Sequence, residues 1–118
     1  MIEQYFFNPR FSKDKYAGVS VSSNDIGGQT LEEYFMREST ELKKNVFHAI
    51  NQYIASNEEQ VVIDKGFRIF VRNGTVELYV EGRQDDAATC ILPLVDFIQI
   101  HSQITQKDKE YRYKYYKF

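Results

Sequence analysis

Two histidines, one cysteine and seventeen carboxylates are the groups from which this 118-residue chain could assemble a reaction centre. A metal site needs His, Cys, Asp and Glu at ligand spacing, because several donors must converge on one ion. His48 and His101 are the only histidines, and neither has a second ligand three or four positions away. Both are expected to be partly buried and hydrogen-bonded, and no metal ligand is assigned. Cys90 is the sole cysteine, which excludes an intrachain disulfide and a thiolate zinc cluster. Lying within Ala88-Thr89-Cys90-Ile91-Leu92, it reads as a small buried hydrophobe and suits a reducing cytoplasm. No nucleophile elbow frames any serine. Gly27-Gly28 precede a helix start that could hold an anion, but no phosphate-binding lysine follows, and Glu32 and Glu33 already sit at the positive end. No catalytic residue and no cofactor are assigned, and the chain is read as a non-enzyme.

Three surfaces could instead recognise a partner. The first is acidic: Glu32, Glu33, Glu38 and Glu41 fall within three turns of one helical pattern, alongside Glu58-Glu59 and Asp85-Asp86. Such a face speeds encounter with a basic protein. The second is one side of a hairpin, carrying Arg68, Phe70, Glu77 and Tyr79, which suits equally cover by another element of the same chain or a contact patch, since Arg and Tyr are enriched where interfaces concentrate their energy. The third is the C-terminus. Residues 107–118 hold five Lys and Arg against Asp108 and Glu110, net +3, with Tyr111, Tyr113, Tyr115, Tyr116 and Phe118 between them. Alternating cations and rings suit single-stranded nucleic acid, but they suit equally a strand that packs its tyrosines and wets its cations.

These surfaces need elements to hold them. Asn73-Gly74, flanked by alternating residues, predicts a two-residue hairpin turn, since both central positions of that turn need positive φ. The turn sets the register. Val71 faces Val76, Ile69 faces Leu78 and Phe67 faces Val80 on an apolar side, while Arg72–Thr75, Phe70–Glu77 and Arg68–Tyr79 form the other. Val61-Val62-Ile63 and Ala87–Leu92 read as flanking strands, giving an antiparallel meander of about four. Thr30-Leu31-Glu32-Glu33 reads as a capping box that opens one helix to Ser56-Asn57, with Leu31, Phe35, Leu42, Val46, Ile50, Tyr53 and Ile54 as its buried stripe. Gln4–Phe7 reads as a short strand broken at Asn8-Pro9, and Tyr16–Ser22 as an edge strand or hairpin arm. After Pro93 a second helix to about Glu110 is favoured over a strand, and the last eight residues read as a strand or extended tail.

The whole is expected to be one α+β domain over 1–118: a long helix on an antiparallel meander, a short N-terminal β segment and a second C-terminal helix. Hydrophobic residues make up 42% and charged residues 27%, which provides for one core and excludes disordered, collagenous and membrane-spanning classes. The net charge of −2 offers no global field for nucleic acid or anionic membrane. The first seven residues lack a basic start and a signal-length apolar run, so a cytoplasmic, non-membrane protein is expected. The function expected is a non-catalytic protein-binding protein, a small inhibitor such as an immunity protein that neutralises a basic, nucleic-acid-cleaving toxin. Glu38, Glu41, Arg68, Phe70 and Tyr79 are its candidate contacts. Nucleic-acid binding through the C-terminal segment and a dedicated chaperone are the alternatives. Motif-poor small proteins of this kind act by surface complementarity, which is an inference from class rather than from any residue.

Overall fold

At Asn73-Gly74 the backbone takes φ values of 55° and 73°, as a two-residue hairpin turn requires. The computed structural model describes residues 5–23, 28–36, 40–64, 66–82 and 89–116. Around this turn stand β4 (Phe67–Arg72) and β5 (Thr75–Val80), flanked by β3 (Gln60–Asp64) and β6 (Thr89–Pro93) in the antiparallel order β3-β4-β5-β6. All six cross-strand pairs expected from the turn are present. The apolar side is closed, with Phe67, Ile69, Val71, Val76 and Leu78 inaccessible to solvent. The turn also ties helices to the sheet. Its Gly74 amide donates to the Tyr53 hydroxyl (2.7 Å), and its Gly74 carbonyl accepts from the Leu94 amide (2.9 Å).

Three helices lie on that closed face: α1 (Gly28–Met36), α2 (Thr40–Ser56) and α3 (Leu94–Tyr115). A second, two-stranded sheet, β1 (Tyr5–Ser12) and β2 (Lys15–Ser23), packs on α1 and α3 from the other side. The whole is an α+β fold of three helices with a four-stranded and a two-stranded antiparallel sheet. Leu31, Phe35, Leu42, Val46 and Ile50 supply their buried faces as the stripe predicted, whereas Ile54 stands 62% exposed.

Several expectations are corrected. The stretch read as one helix is two, and residues 37–39 between them lie outside the described residues. The capping box is not the start of α1. That helix begins at Gly28, and Thr30 is its third residue and is buried. A side chain at Gly28 would come within 2.6 Å of the Ser23 carbonyl oxygen, so only glycine lets the helix begin so close to β2. Pro9 does not break β1 either. β1 pairs on one side only, so a missing amide at Pro9 leaves its other edge intact, and Lys13-Asp14 makes the turn with φ of 51° and 65°. Finally, the C-terminal residues read as a strand or tail continue α3 through Tyr115. Tyr111, Tyr113 and Tyr115 alternate as a strand would, but Tyr111 and Tyr115 are also one helical turn apart. The Asp108–Arg112 pair (2.8 Å) has that same spacing. The other expected turn and loop residues at 24–27 and 83–86, together with the start of the last strand at 87–88, lie outside the described residues.

Burying a carboxylate on the closed face should be costly. Ile69→Asp is expected to destabilise the fold by about 3 kcal/mol or more in denaturant unfolding. Val95→Asp, at a position 60% exposed on α3, should change stability by less than about 0.5 kcal/mol.

Candidate protein-binding surface

Because all three helices pack on one side, the other side of the four-stranded sheet is left open among the described residues. Register places Val61, Phe70, Glu77 and Ile91 in one row across the strands, and Ile63, Arg68, Tyr79 and Thr89 in the next. The outer columns are apolar and wet: Val61 is 48%, Ile63 70% and Ile91 58% exposed. The centre is aromatic and charged, with Arg68 exposed and Phe70 and Tyr79 half-buried. Arg68, Phe70 and Tyr79 are thus brought together as expected. Val61, Ile63 and Ile91 were not anticipated as surface. Three consecutive apolar residues in a strand must nevertheless place alternate side chains on opposite faces, and in a one-sided sheet one of those faces meets water.

Hydrogen bonds lock this centre. Arg72 grips Glu77 with two parallel bonds, Nε to Oε2 and Nη2 to Oε1, each 2.9 Å, and reaches Glu59 at 3.1 Å. The Tyr79 hydroxyl donates to the same Glu77 oxygen at 2.6 Å. The Arg72 hydrogen bonds hold the Glu77 carboxyl below the usual range; burial opposes this, and the Tyr79 bond adds to it. That same bond raises the Tyr79 hydroxyl. The Arg72 guanidinium lies 4.3 Å over the Phe70 ring, Phe70 meets Tyr79 edge-on at 5.7 Å, and Arg68 covers both rings at 5.9 and 5.8 Å. The result is a rigid aromatic–arginine patch with its charges largely matched inside it.

The acidic candidates are elsewhere. Glu41 is exposed in the first turn of α2, and Glu33 is exposed on α1. Both belong to the helix layer, on the opposite side of the sheet from Arg68, Phe70 and Tyr79. Glu38 lies outside the described residues. The basic C-terminal segment is occupied by the hairpin β1–β2. Tyr16 stacks on Tyr115 at 6.0 Å, Phe11 meets Tyr115 edge-on at 4.9 Å, and Tyr111 and Tyr116 also contact Tyr16. The Tyr16 hydroxyl donates to Asp108 at 2.7 Å, while the Tyr116 hydroxyl donates to the Tyr16 carbonyl. Burial of Asp108 works to raise its carboxyl, but the hydrogen bonds from Arg112 and Tyr16 outweigh it and leave it lowered. Rings that could stack on bases are stacked on the protein. Tyr113 is 73% exposed.

The two histidines part ways. His48, expected to be partly buried, is exposed on α2. His101 sits among Phe47, Phe35, Phe97 and Tyr34, with ring separations of 4.5, 4.7, 4.9 and 5.9 Å, and its Nε2 is buried without a hydrogen-bond partner. Burial, aided by the Lys43 ammonium, pulls its pKa down to about 3. It is a neutral member of the helix-layer core. Among the described residues no group of three or more His, Cys, Asp or Glu is placed to hold a metal, and Cys90 is buried in the core as expected.

No family model matches the chain, and neither the curated proteins nor the solved structures provide a match.

Two tests follow from these geometries. Unfolded His101 takes a proton as pH falls through its ordinary value of 6.5, while folded His101 resists until about 3. Stability should therefore fall with pH across that window, with this one group contributing up to about 1.4 kcal/mol per pH unit. His101→Phe should flatten the slope measured between pH 6 and 4.5. On the open face, Glu77→Ala strands Arg72 and Tyr79 and should cost about 1–3 kcal/mol in urea unfolding.

Proposed function

We propose that this is a non-catalytic protein-binding protein that docks another protein on the open face of its four-stranded sheet. The observation that carries the reading is the pairing of exposed apolar columns, at Val61, Ile63 and Ile91, with a locked centre of Arg68, Phe70 and Tyr79. Interfaces gain most from Tyr and Arg anchors inside a ring that excludes water. Anchors already held in place lose little side-chain freedom on binding. The Arg72–Glu77–Tyr79 network provides that order before any partner arrives.

Such a protein acts by occupying its partner, as a small inhibitor does, and neutralisation of a toxin by an immunity protein is the form of inhibition we favour. The negative balance of the chain favours a basic partner, with Glu41 contributing to approach rather than to contact. The buried thiol of Cys90 accords with a cytoplasmic setting. No helix among the described residues is long and apolar enough to cross a membrane.

The test is a comparison of variants against the partner recovered from the native host. Arg68→Ala and Tyr79→Ala should each weaken binding at least about tenfold by calorimetry, equivalent to about 1.4 kcal/mol. Glu41→Gln should slow association at low salt with little change in residence time. Unchanged affinity for both sheet variants would move the contact off this face.

A further inference from the structure

We infer that β3 pairs with β3 of a second copy of this chain, joining two four-stranded sheets into one of eight strands. The inference concerns the sheet edge and stands apart from what the open face binds.

An edge strand offers unpaired backbone donors and acceptors, and proteins blunt such edges with proline, charge, bulges or cover. Most edges here are treated in that way. β1 carries Pro9 and an irregularity between Arg10 and Phe11. β2 packs against α1 and α3, and β6 ends in Pro93, where α3 begins. β3 has neither proline nor bulge, and its three central residues, Val61-Val62-Ile63, are all β-branched and apolar. It neighbours β4 on one side, and among the described residues no strand lies on the other. A groove of about 320 Å³ runs beside it, lined by Asn45, His48 and Ala49 of α2 and by residues 60–63. Among the described residues the edge is therefore open to an incoming strand.

The occupant follows from the symmetry of the segment. In an antiparallel twofold pair centred on Val62, Val61 faces Ile63 of the other copy, and Gln60 faces Asp64 of the other copy. Every apolar residue then meets an apolar one, and each carboxylate meets an amide donor rather than a second carboxylate. Centring on Val61 instead would set Ile63 against Glu59, and centring on Ile63 would set Val62 against Asp64. Only the Val62 register is self-complementary. It also sets Val61 and Ile63, 48% and 70% exposed in the single chain, beside each other across the seam. A second copy supplies this match through the twofold alone, since an isologous interface uses one patch twice. The five-residue strand and the groove make a small interface, and a weak dimer of roughly micromolar affinity is expected.

Sedimentation equilibrium over about 5–300 µM, the range suited to a small interface, should show the mass rise from 13.9 kDa towards twice that value. Val61→Lys with Ile63→Lys sets like charges opposite each other and should raise the dissociation constant at least about tenfold. Val61→Lys with Ile63→Glu sets opposite charges together in this register and should restore association, most strongly at low salt. Both positions are exposed, and unchanged circular dichroism confirms folding. In the unaltered chain, amide exchange at residues 61–63 should slow as concentration rises. A constant mass of 13.9 kDa throughout, concentration-independent exchange at those amides, or a Lys/Glu pair as dissociated as the Lys/Lys pair would each overturn the proposal.

Discussion

The two-residue turn at Asn73-Gly74 is the constraint on which most of this structure rests. Its positive φ values leave β4 and β5 one register, and a slip of one residue would exchange the faces of the sheet. With that register, five apolar side chains of the hairpin close onto the helices, and Arg68, Phe70, Arg72, Glu77 and Tyr79 are turned outwards together. The same turn bonds to Tyr53 at the end of α2 and to Leu94 at the start of α3. One backbone feature thus sets the core, the open face and the anchoring of two helices.

On the open face the Arg72, Glu77 and Tyr79 polar groups are already matched to one another. Arg72 has two carboxylate partners, and Glu77 accepts from both Arg72 and Tyr79. A partner that desolvates this centre removes water without stranding those charges, which is the usual penalty of burying ions. The flanking apolar columns then add area. Joining two sheets through β3 would make two such faces contiguous and extend the surface across the dimer.

The hairpin β1–β2 gives the C-terminal tyrosines their purpose within the fold. Alone, α3 would present a basic aromatic end to solvent. With Tyr16 packed against Tyr111, Tyr115 and Tyr116 and bonded to Asp108, that end becomes a second, smaller cluster. Asp108 links the two elements, since it accepts from Tyr16 across the interface and from Arg112 along the helix.

Local signals were legible where local physics decides. Asn73-Gly74 and the alternating residues beside it determined the hairpin, its register, its buried face and the grouping of Arg68, Phe70 and Tyr79, because positive φ and period-two alternation act within a few residues. The helical stripe through Leu31, Leu42, Val46 and Ile50 was legible for the same reason. Tertiary structure alone decided what lay outside each element. It started α1 at Gly28, where β2 passes too close for any side chain, and extended α3 through Tyr115, where the tyrosines found Tyr16 ninety-odd residues away in sequence. It enclosed His101 in rings drawn from three helices, and it left Val61, Ile63 and Ile91 in water by placing every helix on one side of the sheet. Whether the second face of a strand is also covered, and which edge is left open, depends on where distant elements pack, and no local pattern encodes that.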